Sequence, residues 1–176
     1  MNRENTKVIT GPGTRFSYCS VWEPRSANGR KPRYGVCLLI PKTDQETVEK
    51  IRAAIQRAYV DGAEVLTNED GSLPPIASLK MPMRDGDGER PEDPAYKGQW
   101  YLNATSVQPP EVVDDQVKAI FNRASFYSGC YGRASIYFYA YRNEETRGIA
   151  CGLNHVQKLR DGEALTNRTS AAEDFA

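Results

Sequence analysis

Tyr137, Tyr139 and Tyr141 follow one another at period two inside the stretch YSGCYGRASIYFYAY, residues 127 to 141. In an extended strand that spacing sets all three rings on one face and leaves Ile136, Phe138 and Ala140 on the other. A strand of a small barrel buries one face, and the aliphatic set is the natural inward one, so the rings are expected to point out. A row of exposed aromatic surface needs something to cover it. Three roles fit: packing beneath a helix or long loop of the same chain, a contact between subunits, or stacking on a flat ligand. The third has a direct chemistry. Every nucleobase offers a π-face, and one base stacked on one ring contributes about 1 to 3 kcal/mol whatever its identity. Arg133 and Arg142 flank the row and could meet phosphates.

A second set of reactive groups is the acidic run DGDGERPEDP, with Asp85, Asp87, Glu89 and Asp93. A calcium loop of the EF-hand kind starting at Asp85 needs glycine at its sixth position, where Arg90 stands, followed by Pro91. The run reads as a solvated, turn-forming loop. Its enzymatic alternative is a magnesium-dependent nuclease or junction resolvase, which would need these carboxylates to converge in space. GPGTR, near the N-terminus, lacks the spacing of a nucleotide phosphate loop. His155 is the only histidine, which removes zinc sites built on paired histidines and leaves a single candidate base for a serine or cysteine nucleophile. Cys19, Cys37, Cys130 and Cys151 are far apart with no C-x-x-C pair, and in a reducing compartment they read as small buried hydrophobes. No catalytic residue, metal or cofactor is expected.

The formal charge is zero, at first sight unsuited to a polyanionic partner. The charges are nevertheless segregated along the chain. Residues 1 to 36 carry seven Lys or Arg against two acids, a balance of +5, and residues 60 to 99 carry nine acids against four bases, a balance of −5. A neutral total can therefore conceal a basic face.

Several strands must position these groups. RFSYCSVWEP, residues 15 to 24, alternates Phe16, Tyr18, Ser20 and Trp22 against Arg15, Ser17, Cys19 and Val21, a strand pattern ended by Pro24. The basic segment RSANGRKPR reads as a hairpin loop turning at Asn28-Gly29. YGVCLLI, Tyr34 to Ile40, is apolar on both faces and reads as a central strand. A Thr43/Glu46 capping box then opens a helix with Val48, Ile51, Ile55, Ala58 and Tyr59 on one face, ending at Gly62. Turn chemistry fills residues 63 to 99. WYLNATS (Trp100 to Ser106) reads as a strand, and EVVDDQVKAIF (Glu111 to Phe121) as a weaker one or as a turn at Asp114-Asp115. The tyrosine strand and IACGLNHVQKL (Ile149 to Leu159), joined by the polar RNEETRG, form an antiparallel hairpin. At 176 residues, with strands but no alternating βαβ pattern, the chain predicts one mostly β barrel or sandwich. Residues 163 to 176 predict a flexible tail after a domain spanning 1 to 162. No apolar run suits a membrane span or signal peptide, so a cytosolic setting is expected.

The runs MPMRDGDGERPEDPAYKGQWYLNATS, YSGCYGRASIYFYAY and RGIACGLNHVQKLRDGEAL resemble, in combination, a family of tailed-bacteriophage single-stranded-DNA-binding proteins with an OB fold, long catalogued as a domain of unknown function. The resemblance implies a five-stranded OB barrel with one packed α-helix and long loops, acting in DNA replication or recombination in the cytoplasm of the infected host cell. With it, the expected stacking platforms are Trp100, Tyr101, Tyr131, Tyr137, Tyr139 and Tyr141. The expected phosphate partners are Arg15, Arg30, Lys31, Arg33, Lys80, Arg84, Lys97 and Arg133. The ending EDFA resembles the acidic, Phe-containing tails with which such proteins recruit replication enzymes, which makes Glu173, Asp174 and Phe175 a candidate partner-binding tail. A homo-oligomer is compatible with the outward rings, and no membrane partner is expected. The alternatives to a DNA binder are the nuclease above and a phage structural or assembly protein that uses the tyrosines as a subunit contact. One misfit remains. The usual OB order places the helix between the third and fourth strands, whereas here it follows two. Either residues 1 to 15 hold a further strand, or the helix is an embellishment of this family.

Overall fold

Backbone pairing runs in a ring. The computed structural model describes residues 2–26, 29–165 and 171–176, so Asn28 of the expected Asn28-Gly29 turn lies outside the described residues, as does the Glu173 side chain. The strands are β1 (Val8–Ile9), β2 (Thr14–Arg25), β3 (Arg33–Pro41), β4 (Arg84–Asp85), β5 (Gln99–Ser106), β6 (Glu111–Val113), β7 (Tyr131–Arg142) and β8 (Arg147–Arg160). β2 pairs with β3, β3 with β5, β5 in parallel with β8, β8 with β7, and β7 returns to β2. Five strands thus close on themselves, the arrangement an OB barrel requires. β1, β4 and β6 only extend the edges of β7, β5 and β8.

Closure makes an inside. Phe16, Leu38, Ile40, Leu102, Ile136 and Phe138 are fully buried within it. Helix α1 (Gln45–Asp61) covers the barrel with Val48, Ile51, Ala54, Ile55 and Ala58, all buried. At its C-terminal end Gly62 lies so close to Ala140 that a Cβ there would overlap it. The helix therefore packs on the Ala140 face of β7, and the tyrosine face is left clear of it. A strand within residues 1 to 15 does exist, but it does not supply the missing barrel strand. It is β1, which stays outside the ring, so α1 does lie between the second and third barrel strands.

Two local expectations need correction and one open alternative is decided. First, Asp44 rather than Thr43 caps α1. Its carboxylate accepts from the Thr47 amide (3.2 Å) and from the Thr47 hydroxyl (2.6 Å). The turn closed by Asp44 N–H on the Pro41 carbonyl (2.9 Å) keeps Thr43 outside the helix. The Thr47 hydroxyl also accepts from the Gly11 amide (2.9 Å), so one cap joins the helix to the N-terminal segment. Second, β2 does not alternate throughout. Pairing moves from Ser17↔Cys37 to Ser20↔Gly35, one residue more on β2 than on β3. That bulge lets Phe16 and Val21, an odd number of residues apart, enter the same core. Third, Glu111 to Phe121 follows the turn alternative. β6 ends at Val113, the Asp114 carboxylate accepts from the Gln116 and Lys118 amides (2.9 and 3.0 Å), and Val113 bridges back to Ala119.

Residues 63 to 99 are mostly loop, with short helices α2 (Ala63–Leu66) and α3 (Gly86–Glu89). Beyond Gly162 the chain is first held down. The Glu163 carbonyl accepts from Arg15 (2.6 Å), the Leu165 amide donates to the Ser128 carbonyl (2.8 Å), and Leu165 packs beside Leu39, Tyr96 and Tyr101. A last helix, α4, spans Ala171–Asp174. Among the described residues no helix is long and apolar enough to cross a membrane.

The cap assignment gives a direct test. Asp44→Ala should destabilise the protein by about 0.5 to 2 kcal/mol in urea unfolding, whereas Thr43→Ala should change it by no more than a few tenths. Equal losses would restore the Thr43 cap.

Candidate nucleic-acid interface

The hairpin β7–β8 sets each tyrosine against a small residue. Its register pairs Tyr137 with Gly152, Tyr139 with Ala150 and Tyr141 with Gly148. At Gly152 a Cβ would overlap the Tyr137 ring, so the ring lies down over β8. Tyr137 and Tyr139 are 5.8 Å apart between centroids and tilted by 32°. Arg3, from the N-terminal turn, sits over the Tyr137 ring at 4.6 Å. Tyr137 is accordingly only 8% exposed, while Tyr139 and Tyr141 are half-buried. Burial pushes the Tyr139 phenol above its ordinary pKa, and the charge and hydrogen bond of nearby Arg33 oppose that shift.

Beside this row lies an open groove of about 730 Å³. Its floor is the outer face of β3 and β5, with Gly35, Asn103 and Thr105. The β2–β3 loop raises one side, with Arg25, Arg30, Lys31 and Arg33. The β7–β8 hairpin raises the other, with Tyr139, Tyr141 and Asn143. Lys80 reaches the rim because its backbone pairs with β8: its amide donates to the Arg147 carbonyl (3.1 Å), and its carbonyl accepts from the Ile149 amide (3.0 Å). Gly148 allows that approach, since a Cβ there would overlap the Lys80 backbone. Five basic side chains thus line the groove against one acid, Glu145. Among the described residues none of the five is ion-paired to a carboxylate. None of the acids of residues 60 to 99 lines it. The concealed basic face is therefore this groove.

Two smaller clefts continue it. One, of about 310 Å³, shares Arg33, Thr105 and Tyr139 and adds Arg3, Gln108 and Tyr137. The other, of about 630 Å³, shares Tyr18 and Arg25 and adds Arg15, Ser17, Ala95 and Tyr96.

The tertiary structure sorts the expected site residues. Arg30, Lys31, Arg33, Lys80, Tyr139 and Tyr141 come together in the groove, Tyr137 lines the first cleft and Arg15 the second. The other six line none of these openings. Trp100 packs against the core, with Lys42 and Arg52 over its ring at 5.1 and 5.4 Å. Tyr101 is 4% exposed, packs with Leu39 and Tyr96, and donates to Glu89 (2.7 Å). Tyr131 has the Arg15 and Arg160 guanidiniums within 5.1 and 3.8 Å of its ring centre. Arg133 donates twice to the Gln157 side chain (2.9 and 2.7 Å), Arg84 lies 3.7 Å from Glu89, and Lys97 is exposed elsewhere. Sequence reasoning missed Arg3, Tyr18, Arg25, Tyr34, Asn103 and Thr105, all of which line the openings. Arg25 and Tyr34 flank the basic loop, a signal that was available. Nothing local marks Arg3.

The nuclease alternative is not supported. Asp85 and Asp87 both accept from the Lys42 ammonium (2.6 and 2.7 Å), which holds both carboxyls below their usual pKa. Glu89 is engaged by Tyr101, and Asp93 caps a turn at the Ala95 amide (3.1 Å). These acids brace loops. The cysteines, too, are structural: burial pushes the Cys37 thiol up to about 11 and raises those of Cys19, Cys130 and Cys151.

Residues 6–176 match a family model described as the ssDNA-binding protein of Enterobacter phage Enc34. A putative protein p50 of Acyrthosiphon pisum secondary endosymbiont phage 1 is 30% identical over 168 residues, covering 92% of this chain and 88% of its own. In fold the chain is similar to the single-stranded-DNA-binding protein of bacteriophage Enc34 solved in complex with ssDNA. The TM-score is 0.76 at 22% identity, over 93% of this chain and 91% of that one. It is also similar to gp2.5, a single-stranded-DNA-binding protein encoded by bacteriophage T7, with a TM-score of 0.64 at 19% identity over 93% and 97%.

The ring-on-glycine packing can be measured. Gly152→Ala should cost about 1 to 3 kcal/mol by overpacking, and most of that cost should vanish when Tyr137→Ala is added, as a double-mutant cycle in urea would show. Additive losses would mean that the ring does not rest on Gly152.

Proposed function

We propose, from the premise that the chain belongs to the family of the Enterobacter phage Enc34 ssDNA-binding protein, that it is a non-catalytic, sequence-tolerant binder of single-stranded DNA in phage replication or recombination. The observation that carries this reading is the basic groove walled by Tyr139 and Tyr141. Phosphates satisfy Arg25, Arg30, Lys31, Arg33 and Lys80, and unstacked bases lie against the rings. Only a single strand can present its base faces in this way, because in a duplex they are already stacked on one another. Stacking is blind to base identity, which makes the binding tolerant of sequence. An OB barrel uses this same outer face and its two flanking loops for oligonucleotides.

In this reading Tyr137, beneath Arg3, extends the platform into the adjoining cleft, and Arg15 serves the other end. The six candidates outside the openings support the fold instead. The tail residues Glu173, Asp174 and Phe175 recruit replication or recombination enzymes, a role consistent with the 87% exposure of Phe175. Copies bound side by side on one strand are the setting for a homo-oligomer, and the place of action is the cytoplasm of the infected host.

Titrating intrinsic fluorescence with oligo-dT over a range of salt tests the reading. The groove's five bases predict a log–log slope of up to about −3.5, at about −0.7 for each phosphate contact. Arg33→Ala should flatten that slope by about one contact, and Tyr139→Ala should weaken binding by about 1 to 3 kcal/mol with little loss of melting temperature. No binding, or affinity indifferent to salt, would remove the proposal.

A further inference from the structure

Tyr18 combines two unfavourable features at one position. Its backbone stands at φ +47, a region that bulky L-residues rarely adopt, and its ring is 62% exposed. The φ belongs to the β2 bulge, and the phenol lies within electrostatic range of Arg90 and Tyr96. Among the described residues its hydroxyl makes no hydrogen bond and its ring stacks on no other ring or cation. The bulge itself has a structural purpose, since it brings Val21 into the core with Phe16. That purpose calls for a residue tolerant of positive φ, such as glycine or asparagine, and does not call for an aromatic ring.

The position of the ring accounts for it. Tyr18 stands where the basic groove meets the cleft of Arg15, Ser17 and Tyr96, and lines both, as does Arg25. Tyr139 and Tyr141 stand on the other strand wall of the same groove. A strand lying along the groove meets their rings on one side and passes Tyr18 where it continues into the cleft of Arg15. Strain kept at a solvent-facing aromatic is what a preorganised contact looks like before its ligand arrives.

We propose that Tyr18 is a base-stacking residue, held at the rim by the β2 bulge, over which the bound strand passes from the basic groove into the neighbouring cleft. This rests on the single-stranded-DNA reading and adds a contact and a path to it. Arg25, shared by both openings, then holds a phosphate at the crossing.

Because the bulge and the ring can be separated, the test is clean. Tyr18→Asn and Tyr18→Gly keep the positive φ and remove the ring, whereas Tyr18→Phe keeps the ring. Affinity for dT oligonucleotides of increasing length is measured beside the melting temperature. Tyr18→Asn and Tyr18→Gly are expected to bind long dT about 5- to 150-fold more weakly, the equivalent of one lost stack, with melting temperatures unchanged or higher. Tyr18→Phe should bind as the parent does. Oligonucleotides too short to leave the groove should be bound by the parent and by Tyr18→Asn alike. Parental affinity of Tyr18→Asn for long dT overturns this inference and leaves the broader function standing, as does a loss of affinity that appears only with a fall in melting temperature. A parent protein that binds no dT of any length overturns both.

Discussion

The binding face depends on one packing constraint: three tyrosine rings on one strand of a hairpin need small residues opposite them. Gly152, Ala150 and Gly148 supply that space. At Gly152 the fit is tight enough that a methyl group would collide with the Tyr137 ring. With the space present, a ring can lie along the sheet. It gains burial for one face and keeps its edge at the groove. Large residues on β8 would stand the rings upright, and the flat wall beside the groove would be lost. Gly148 serves a second element as well, because the Lys80 backbone can come close enough to pair with β8 only where no side chain intervenes.

Charge is then distributed to match that surface. Arg25, Arg30, Lys31 and Arg33 are gathered by the β2–β3 loop onto one wall, and Lys80 is added from a distant loop. None of the acids of residues 60 to 99 lines the groove, although Asp93 lines the adjoining cleft, and several of them brace loops. Lys42, which follows β3, clamps Asp85 and Asp87, and Tyr101 holds Glu89, so this loop is braced against the barrel. A chain of zero net charge can in this way offer a basic groove with almost no opposing carboxylate. Helix α1 contributes by its placement. Capped by Asp44 and fitted against Ala140 through Gly62, it closes the apolar side of β7 and leaves the tyrosine side open.

Sequence alone determined the elements with strong periodicity. The alternation of Ile136, Phe138 and Ala140 with Tyr137, Tyr139 and Tyr141 is decided by the two-residue repeat of an extended chain, and the apolar stripe of α1 by the repeat of a helix. Gly148, Ala150 and Gly152 share the same two-residue repeat, but their place opposite the tyrosines is set by the hairpin register. The basic character of residues 25 to 33 was visible locally. Where a nearby competitor existed, local reasoning failed. Asp44 displaced Thr43 as the cap, because one turn at Pro41 shifts the helix start by a residue.

Only the tertiary structure could decide which candidates meet. Trp100 and Tyr101 are aromatic like the groove tyrosines, yet closure of the barrel leaves the first half-buried against the core and the second buried beside Tyr96 and Leu39. Lys80 and Arg33 converge from segments far apart in the chain, and Arg3 arrives over Tyr137 from the N-terminus. A bulge reverses the sidedness of β2 at Tyr18 with no mark in the residue types around it. Periodicity fixes which way a side chain points from its own strand; what it points at depends on strand pairing, and pairing is a property of the closed sheet.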